Sequence, residues 1–376
     1  MIRAHKIRLY PNNVQATYFA KACGVARFAY NWALARTKEL YELDNAHKFN
    51  EMALRRELNA IKKERFPWML EVTKCAPQLA IKEGLNNAFR NFFEKRADFP
   101  RFHKKGINDS FSISNDHFKI EDTHVRIAKL GDVRLAERLR FEGKILSATV
   151  SRRATHWYIS IQVELAKPEP IHSAISENQA VGVDVGVASH AVLSDGRVIK
   201  GNKPGRKYEK RLRRAQQSLS RKKGARKGEK KSNNYRKQQR KVSCIHEKIA
   251  NSRNDGLHKL SFMLTQNYSL IGIEDLNVKG MVKNHNLAKS IHDQSWSELG
   301  RQLTYKADET GSYVHYSDRF FASSQLCGAC GYRHAETKDL SVREWVCPEC
   351  GAIHDRDQNA AENLRKDAIK AVLGAA

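Results

Sequence analysis

The sequence predicts a multidomain protein of mixed α/β and β class. An N-terminal antiparallel β unit is interrupted by helices, and an α/β unit carrying a metal knuckle follows. Three observations predict this. Strand-type alternation stands on both sides of a long helix-patterned stretch near the N-terminus. Glycine-punctuated Val- and Ile-rich strands alternate with helical segments in the second half. Two CxxC pairs then precede a final amphipathic helix. With 376 residues and 41% hydrophobic side chains, the chain is long enough for two to three domains and a sizeable core.

In chain order, "IRAHKIRLY" alternates and stops at Pro11, which reads as a strand. From Asn13 to about Glu94 the apolar spacing turns helical, as in "ATYFAKACGVARFAYNWALART" and "PQLAIKEGLNNAFRNFFEKR". Phe19, Phe28, Tyr30 and Trp32 are expected mostly on its core face. From Ser110 to Leu165 strands return as "SFSISND", "HVRIAKL", "ILSATVSRR" and "HWYISIQVEL". One strand, a helical insertion and several short strands predict a small β-barrel interrupted by helices. "AKPEPIHSAISENQ" is a linker by its prolines and polar content. Beyond it, "AVGVDVGVASHAVLSDGRVIK" reads as two strands and an Asp-Gly turn into a third. A basic helical stretch follows, with "RKKGARKGEKKSNN" as a loop in its middle. Val242, Ile245, Ile249, Leu257, Leu260 and Leu264 then space a helix that leads into the strand "SLIGIEDL". "SWSELGRQLTYKADET" is a further helix and "SYVHYSD" a further strand, before the knuckle and the last helix.

The formal net charge is +26. A surplus of that size suits a polyanionic partner, nucleic acid or an anionic membrane, rather than small-metabolite chemistry. No apolar run approaches the ~20 residues that span a bilayer, and "MIRAHKIRLYP" lacks the apolar core of a secretory signal. The expected compartment is the cytoplasm, with nucleoid association when bound to DNA. Between Arg206 and Lys241, 17 Lys and Arg face two Glu. That stretch can neutralise many phosphates with salt-dependent, largely sequence-blind affinity. "RRELNAIKKERF" and "FPRFHKKG" make the N-terminal half basic as well. Its aromatics could stack on bases, although core packing accounts for most of them more simply.

"CGAC" and "CPEC" place Cys327, Cys330, Cys347 and Cys350 at the C-x2-C-x16-C-x2-C spacing of a zinc site. Four thiolates make the closed, structural form of such a site. Gly331 and Gly351 follow the two pairs and ease the turns. His334 and His354 could compete as ligands, though four cysteines need no help. Cys23, Cys75 and Cys244 are unpatterned and read as small buried hydrophobes.

Three carboxylates stand out. Asp184 shares a strand face with Gly182 and Gly186, which predicts a cleared floor where a metal and a nucleic-acid backbone can approach. Glu274 shares a face with Gly272, whereas Asp275 sits with Ile271 and Ile273 and reads as a strand-end or capping residue. In the last helix, stepping back four residues from Ala361 puts Asp357 on the face of Ala361, Leu364, Ala368 and Val372. Asp357 could equally cap that helix. Asp355 lies off the face and reads as a turn or cap. Such oxygens suit Mg²⁺ or Mn²⁺, and two such ions ~3.5–4 Å apart can hydrolyse a phosphodiester.

"GVDVG", "IGIEDLNVKGM", "SSQLCGACG", "WVCPECG" and "HDRDQNAAEN", with "IRLYPN" and "ARFAYNWAL" at the start, together resemble the TnpB (OrfB) family over essentially the whole chain. These are transposon-encoded RNA-guided DNA endonucleases related to the type V CRISPR effectors. The resemblance implies a RuvC-like nuclease of RNase H-like fold at 171–326 and 351–376, with a zinc ribbon at 327–350. It implies a wedge-type β-barrel at 1–11 and 106–170 and a helical recognition domain at 12–105. It puts catalytic, metal-holding acids at Asp184, Glu274 and Asp357, and zinc on the four cysteines. It further implies a guide RNA transcribed from the transposon end and a double-stranded DNA target, read by base pairing beside a short adjacent motif. "KCAPQ" resembles the family's motif-reading helix, which makes Lys74 and Gln78 candidates. The alternatives are a non-cleaving RNA-guided DNA-binding regulator and a guide-free transposon-associated nuclease; the presence of all three acids favours cleavage.

Overall fold

The alternation of β1 (Ile2–Tyr10) buries His5, Ile7 and Leu9 and turns Lys6 and Tyr10 outward. Pro11 ends the strand, and Asn12 starts the next helix with a capping box. The Asn12 side chain accepts from Gln15 N while the Gln15 side chain accepts from Asn12 N. Helices α1 (Asn13–Leu43), α2 (Glu51–Arg65), α3 (Cys75–Leu79) and, after a π turn over Ala80–Leu85, α4 (Asn86–Phe93) follow. Then come β2 (Ser110–Ser114), β3 (Phe118–Glu121), β4 (His124–Ile127), β5 (Gly131–Leu135), β6 (Lys144–Arg153) and β7 (His156–Glu164).

This computed structural model describes residues 1–46, 48–166, 169–339 and 341–374, and the chain divides into two units, Met1–Ala166 and Lys167–Ala376. In the first, the seven strands form one antiparallel sheet in the order β2-β6-β7-β1-β5-β4-β3. β1 lies mid-sheet between β7 and β5, so the helices are a long excursion from a central strand. Ile7, Leu9, Val150, Ile159 and Ile161 share one core with Phe19, Ala22, Leu34 and Leu85 from the helical part. "HVRIAKL" holds β4 and then a turn, with Lys129 and Gly131 at positive φ, into β5. Among the described residues no ladder joins β2 to β3. The expected β-barrel is therefore, in its hydrogen bonding, a sheet with two edges.

The second unit opens with β8 (Ala180–Asp184), β9 (Ala191–Leu193) and β10 (Val198–Ile199). A helical hairpin of α5 (Pro204–Ser220) and α6 (Asn233–Asn267) follows, with the basic loop as its tip. Asp293 closes the start of α5: its carboxylate accepts from Gly205 N, Arg206 N and Arg253 Nη2. Next come β11 (Leu270–Glu274), α7 (Val278–Met281), α8 (His285–Gln294), α9 (Trp296–Thr310) and β12 (Tyr313–Ser317). The chain closes with the hairpin β13 (Glu344–Val346) and β14 (Ile353–Asp355), and α10 (Arg356–Leu373). Helices α7 and α8 have no expectation above; Asn277 and Asn284, each capping with its side chain, are the local signal for them.

The sheet order is β10-β9-β8-β11-β12, with β8, β11 and β12 parallel and β9 and β10 antiparallel to their neighbours. Val181, Val183, Ile271 and Ile273 pack on Leu257, Leu260 and Leu264 of α6 and on Leu299 and Leu303 of α9. On the other face Ala180 and Leu270 meet Ala368 and Ile369 of α10. The parallel strands are thus covered on both sides, as such strands require. Among the described residues, no helix is long and apolar enough to cross a membrane.

Candidate active site

Asp184 is the last residue of β8 and Glu274 the last of β11. The strands are parallel neighbours in register up to Val183 and Ile273, so the two carboxylates leave the sheet side by side at its carboxyl end, where ligands of parallel sheets gather. Asp357 joins them from the first turn of α10. Asp355 is the cap of that helix, accepting from Gln358 N at 2.8 Å. The cap reading therefore belongs to Asp355, and Asp357 is left to point elsewhere. Asp275 turns away to pair with Arg319 at 2.6 Å on the surface.

The electrostatics tie the three acids together. Burial, then the negative charges of Glu274 and Asp357, push the Asp184 carboxyl well above its ordinary range, against the opposing pull of Arg356 and Arg343. Burial also raises Glu274, and a hydrogen bond from Ser323 Oγ at 2.6 Å together with the Arg356 charge offsets part of that rise. Arg343 Nη1 reaches both Asp357 oxygens at 3.2 Å. Arg356 is buried, donates to Asp339 O, and bears on both strand acids. Crowded carboxylates of this kind are costly without counter-charge and hold a hard cation well. Arg343, Arg356 and Ser323 carry no expectation above; "HDRDQN" and "SSQLC" contain two of them, but nothing local says where they point.

The glycines do something other than expected. A Cβ on Gly182 would come 1.8 Å from Ala361 O, and one on Gly272 would come 2.3 Å from Leu364 O. The cleared floor is filled by α10 itself, not left open for nucleic acid. Gly182 and Gly272 let the helix backbone lie directly on the two strands, which brings Asp357 down to Asp184 and Glu274. At Gly186 the nearest atom, Ser189 O, would be 3.2 Å away, so that position has no such crossing.

Among the described residues, Cys327, Cys330, Cys347 and Cys350 form a group whose ligand atoms all lie within 4.8 Å of one another, as the ligands of one metal ion would. A tetrahedron of sulfurs about 2.3 Å from zinc has edges of about 3.8 Å. The Cys327–Cys350 and Cys330–Cys347 separations are 3.6 and 3.7 Å, so the four cysteines fit zinc. The two knuckles match: Gly331 N donates to Cys327 O and Gly351 N to Cys347 O, both at 2.9 Å, with both glycines at positive φ. His354 packs on Trp345 with Nε2 3.0 Å from Cys327 Sγ, and His334 stacks on the same indole. His354 flanks a sulfur, His334 touches the indole, and neither belongs to that group.

Asn359 and Asn363, one turn apart on α10, bind the first knuckle to the helix. Asn359 accepts from Gly328 N at 2.8 Å and donates to Leu326 O at 2.7 Å; Asn363 donates to Ser323 O and Leu326 O, both at 2.8 Å. Ser323 in turn holds Glu274. Knuckle, last helix and strand acid form one hydrogen-bonded chain.

In the first unit, Lys74 is exposed at the start of α3, where its charge bears on Asp116, and Gln78 is half-buried beside Arg55 and Lys62. The basic stretch forms the α5–α6 hairpin, joined by Gln238 Nε2 donating to Ala215 O, with most of its cations in solvent.

The chain is similar to known proteins along most of its length. A family model described as "OrfB_IS605: Probable transposase" matches residues 160–285. One described as "Cas12f1-like, TNB domain" matches 296–364, and a "Helix-turn-helix domain" matches 1–46. The last segment folds here as β1 followed by the single helix α1. A "Putative RNA-guided DNA endonuclease" of Streptomyces pristinaespiralis is 37% identical over 369 residues, 96% of this chain and 88% of the relative. "Putative RNA-guided DNA endonuclease InsQ" of Escherichia coli (strain K12) is 36% identical over 382 residues, 96% of this chain and 91% of the relative. A solved chain of a Cas12f1–sgRNA–target DNA complex is similar over 97% of this chain and 98% of that one, with a TM-score of 0.62 and 13% identity, a likeness of fold.

Proposed function

The chain belongs to the TnpB family (OrfB, IS605 type), and from that premise we propose that it is a transposon-encoded, RNA-guided, metal-dependent DNA endonuclease. The observation that carries the reading is the meeting of Asp184, Glu274 and Asp357 at the carboxyl end of two parallel strands, in a chain of net charge +26. In this reading 171–326 and 351–376 are the RuvC-like nuclease, supported by the mixed five-stranded sheet, and 327–350 the zinc ribbon. Residues 1–11 and 106–170 are the wedge-type β-barrel, and 12–105 the helical recognition domain.

Asp184, Glu274 and Asp357 would hold Mg²⁺ or Mn²⁺, their oxygens and mutual repulsion being suited to hard cations. Bound in a pair, such ions would supply Lewis acidity and an acidified water for phosphodiester hydrolysis. The chain's own residues prepare the place. Ser323 orients Glu274 by donating to it. Arg343 and Arg356 keep positive charge beside the carboxylates, where a scissile phosphate would arrive. The α5–α6 cations hold nucleic-acid backbone without reading sequence. The zinc site, closed by four cysteines, offers no open position and serves structure. Pairing between the transposon-end guide RNA and target DNA reads the target, while Lys74 and Gln78 read the short motif beside it.

Co-expression with RNA from the transposon end, followed by exposure to plasmids carrying the guide complement beside a randomised motif, tests this. Expected is cutting of matched plasmids in Mg²⁺ and none in EDTA. Matched binding without cutting would leave the non-cleaving regulator; defined cutting by RNA-free protein would leave the guide-free nuclease.

A further inference from the structure

We propose that an aromatic basin in the helical part of the first unit holds unstacked bases of single-stranded RNA. The proposal deepens the guided reading above by naming where an unpaired stretch of the RNA sits.

The basin is a cavity of about 1160 Å³ bordered by the end of α1, the segment after it, and α4 with its trailing loop. Buried Phe89 is its floor. Phe49 lies nearly parallel to Phe89 with centroids 4.4 Å apart, and Phe93 continues the stack at 6.1 Å. Phe99 stands edge-on to Phe89 and Phe92 at 5.7 and 5.3 Å, forming a wall. Pockets of roughly 300–1000 Å³ enclose drug-sized ligands, so this one has room for more than one base. Phe93 is 67% and Phe99 40% exposed, rings that folding has not buried.

The rim says what enters. Lys38 Nζ lies 5.4 Å from the Phe99 ring and 5.0 Å from the Phe102 ring, and Lys48 and Arg90 also line the basin. A strand whose bases entered would set its phosphates against these cations. Duplex bases are already stacked and cannot enter. Protein–protein interfaces are depleted in lysine, whereas Lys38 and Lys48 both line this basin. Glu42, Glu94, Asn45 and Asn86 are also in the lining; a carboxylate repels the phosphates of RNA and DNA alike but can accept a hydrogen bond from a ribose 2′-hydroxyl, which deoxyribose lacks, and this favours RNA. The segment "RNFFEKRADFPRFHKK" interleaves four Phe with six Lys and Arg, the composition of a stacking platform for single strands.

The test uses the full-length protein and a short single-stranded RNA carrying 2-aminopurine, whose emission is quenched on stacking. Expected is quenching with wild type. The Phe93→Ala/Phe99→Ala variant should lose the quench and about tenfold or more in affinity, with Phe99→Trp restoring both and the matching oligodeoxynucleotide binding more weakly. Lys38→Ala, which leaves the rings in place, should also weaken binding, so the proposal stays testable if circular dichroism shows the double variant misfolded. Unchanged RNA affinity in the variants, or equal affinity for the DNA oligonucleotide, overturns the proposal. So does a wild-type dimer that the double variant converts to monomer in light scattering, which would assign the basin to a second copy. Guided cleavage assayed on the same wild-type preparation separates the two readings. Cutting without quenching sinks the basin alone; quenching without cutting supports the basin and sinks the nuclease.

Discussion

Gly182 and Ala361 meet backbone to backbone: a Cβ added to Gly182 would lie 1.8 Å from the Ala361 carbonyl oxygen. The first strand of the second unit and the last helix of the chain are in contact with no side chain between them. The position of Asp357 depends on that contact.

Gly182→Ala should therefore lift α10 from the sheet. Overpacking against rigid backbone costs about 1–3 kcal/mol or more, and Asp357 moves with the helix. Guided cleavage should fall to background and the melting temperature should drop, whereas Gly186→Ala, facing only Ser189 O at 3.2 Å, should be milder in both. A Gly182→Ala protein that cuts at the wild-type rate would show that the close crossing is dispensable.

Asp184→Asn should abolish cutting while guide and target binding stay near normal, because in the proposed function the carboxylates hold metal and not guide. It also carries a pH signature. Burial and the charges of Glu274 and Asp357 raise the Asp184 carboxyl above its ordinary 3.8 in the metal-free fold. The fold then binds this proton more tightly than the unfolded chain does, so the group's contribution to stability declines as pH rises from the unfolded value to the folded one, and stays low above it. In EDTA the Asn variant should melt higher than wild type at neutral pH, with the difference vanishing near the ordinary carboxyl value. Parallel melting curves across pH would contradict the burial argument.

Zinc removal should act on the last helix as well as on the knuckle. Each chain should bind one zinc by elemental analysis. A chelator, or Cys347→Ser, should lower the melting temperature and speed amide exchange from the knuckle through the start of α10, since Asn359 and Asn363 bridge them. An unchanged melting profile would argue against a structural metal.

Asn363→Ala separates the bridge from the metal. It leaves the Ser323 carbonyl without its buried donor, while Leu326 O keeps the one from Asn359, at a cost of about 1–3 kcal/mol. Zinc content should stay at wild type while cleavage slows, because Ser323 no longer holds Glu274 in place. Wild-type cutting in a zinc-loaded Asn363→Ala protein would show that the bridge does not position the acid.

Much of the candidate site was legible because it is written in local periodicities. Period-two alternation placed Asp184 with Gly182 and Glu274 with Gly272 on one face of their strands, and helix phase separated Asp357 from Asp355. Cysteine spacing exposed the knuckle. The glycines were legible as a signal and misread in purpose: an empty face looks the same from its own strand whether nucleic acid or a helix fills it. The aromatic segment around Phe93 and Phe99 looked like core because sequence reports hydrophobicity and not what covers it. Strands β3 (Phe118–Glu121) and β5 (Gly131–Leu135) were not legible as strands in the sequence.

The sequence by itself determined the chemistry available: three carboxylates, four thiols, a cationic hairpin and the strands and helix that carry them. These follow from interactions between residues a few positions apart, which leave a repeat in the chain. Only the tertiary structure decided how they combine. The α10 backbone against Gly182 and Gly272, Arg343 on Asp357, Ser323 on Glu274, and Asn359 and Asn363 on the knuckle join residues 14 to 179 positions apart. Such pairings leave no period in the chain, because they are set by packing and the satisfaction of buried polar groups once the elements have met.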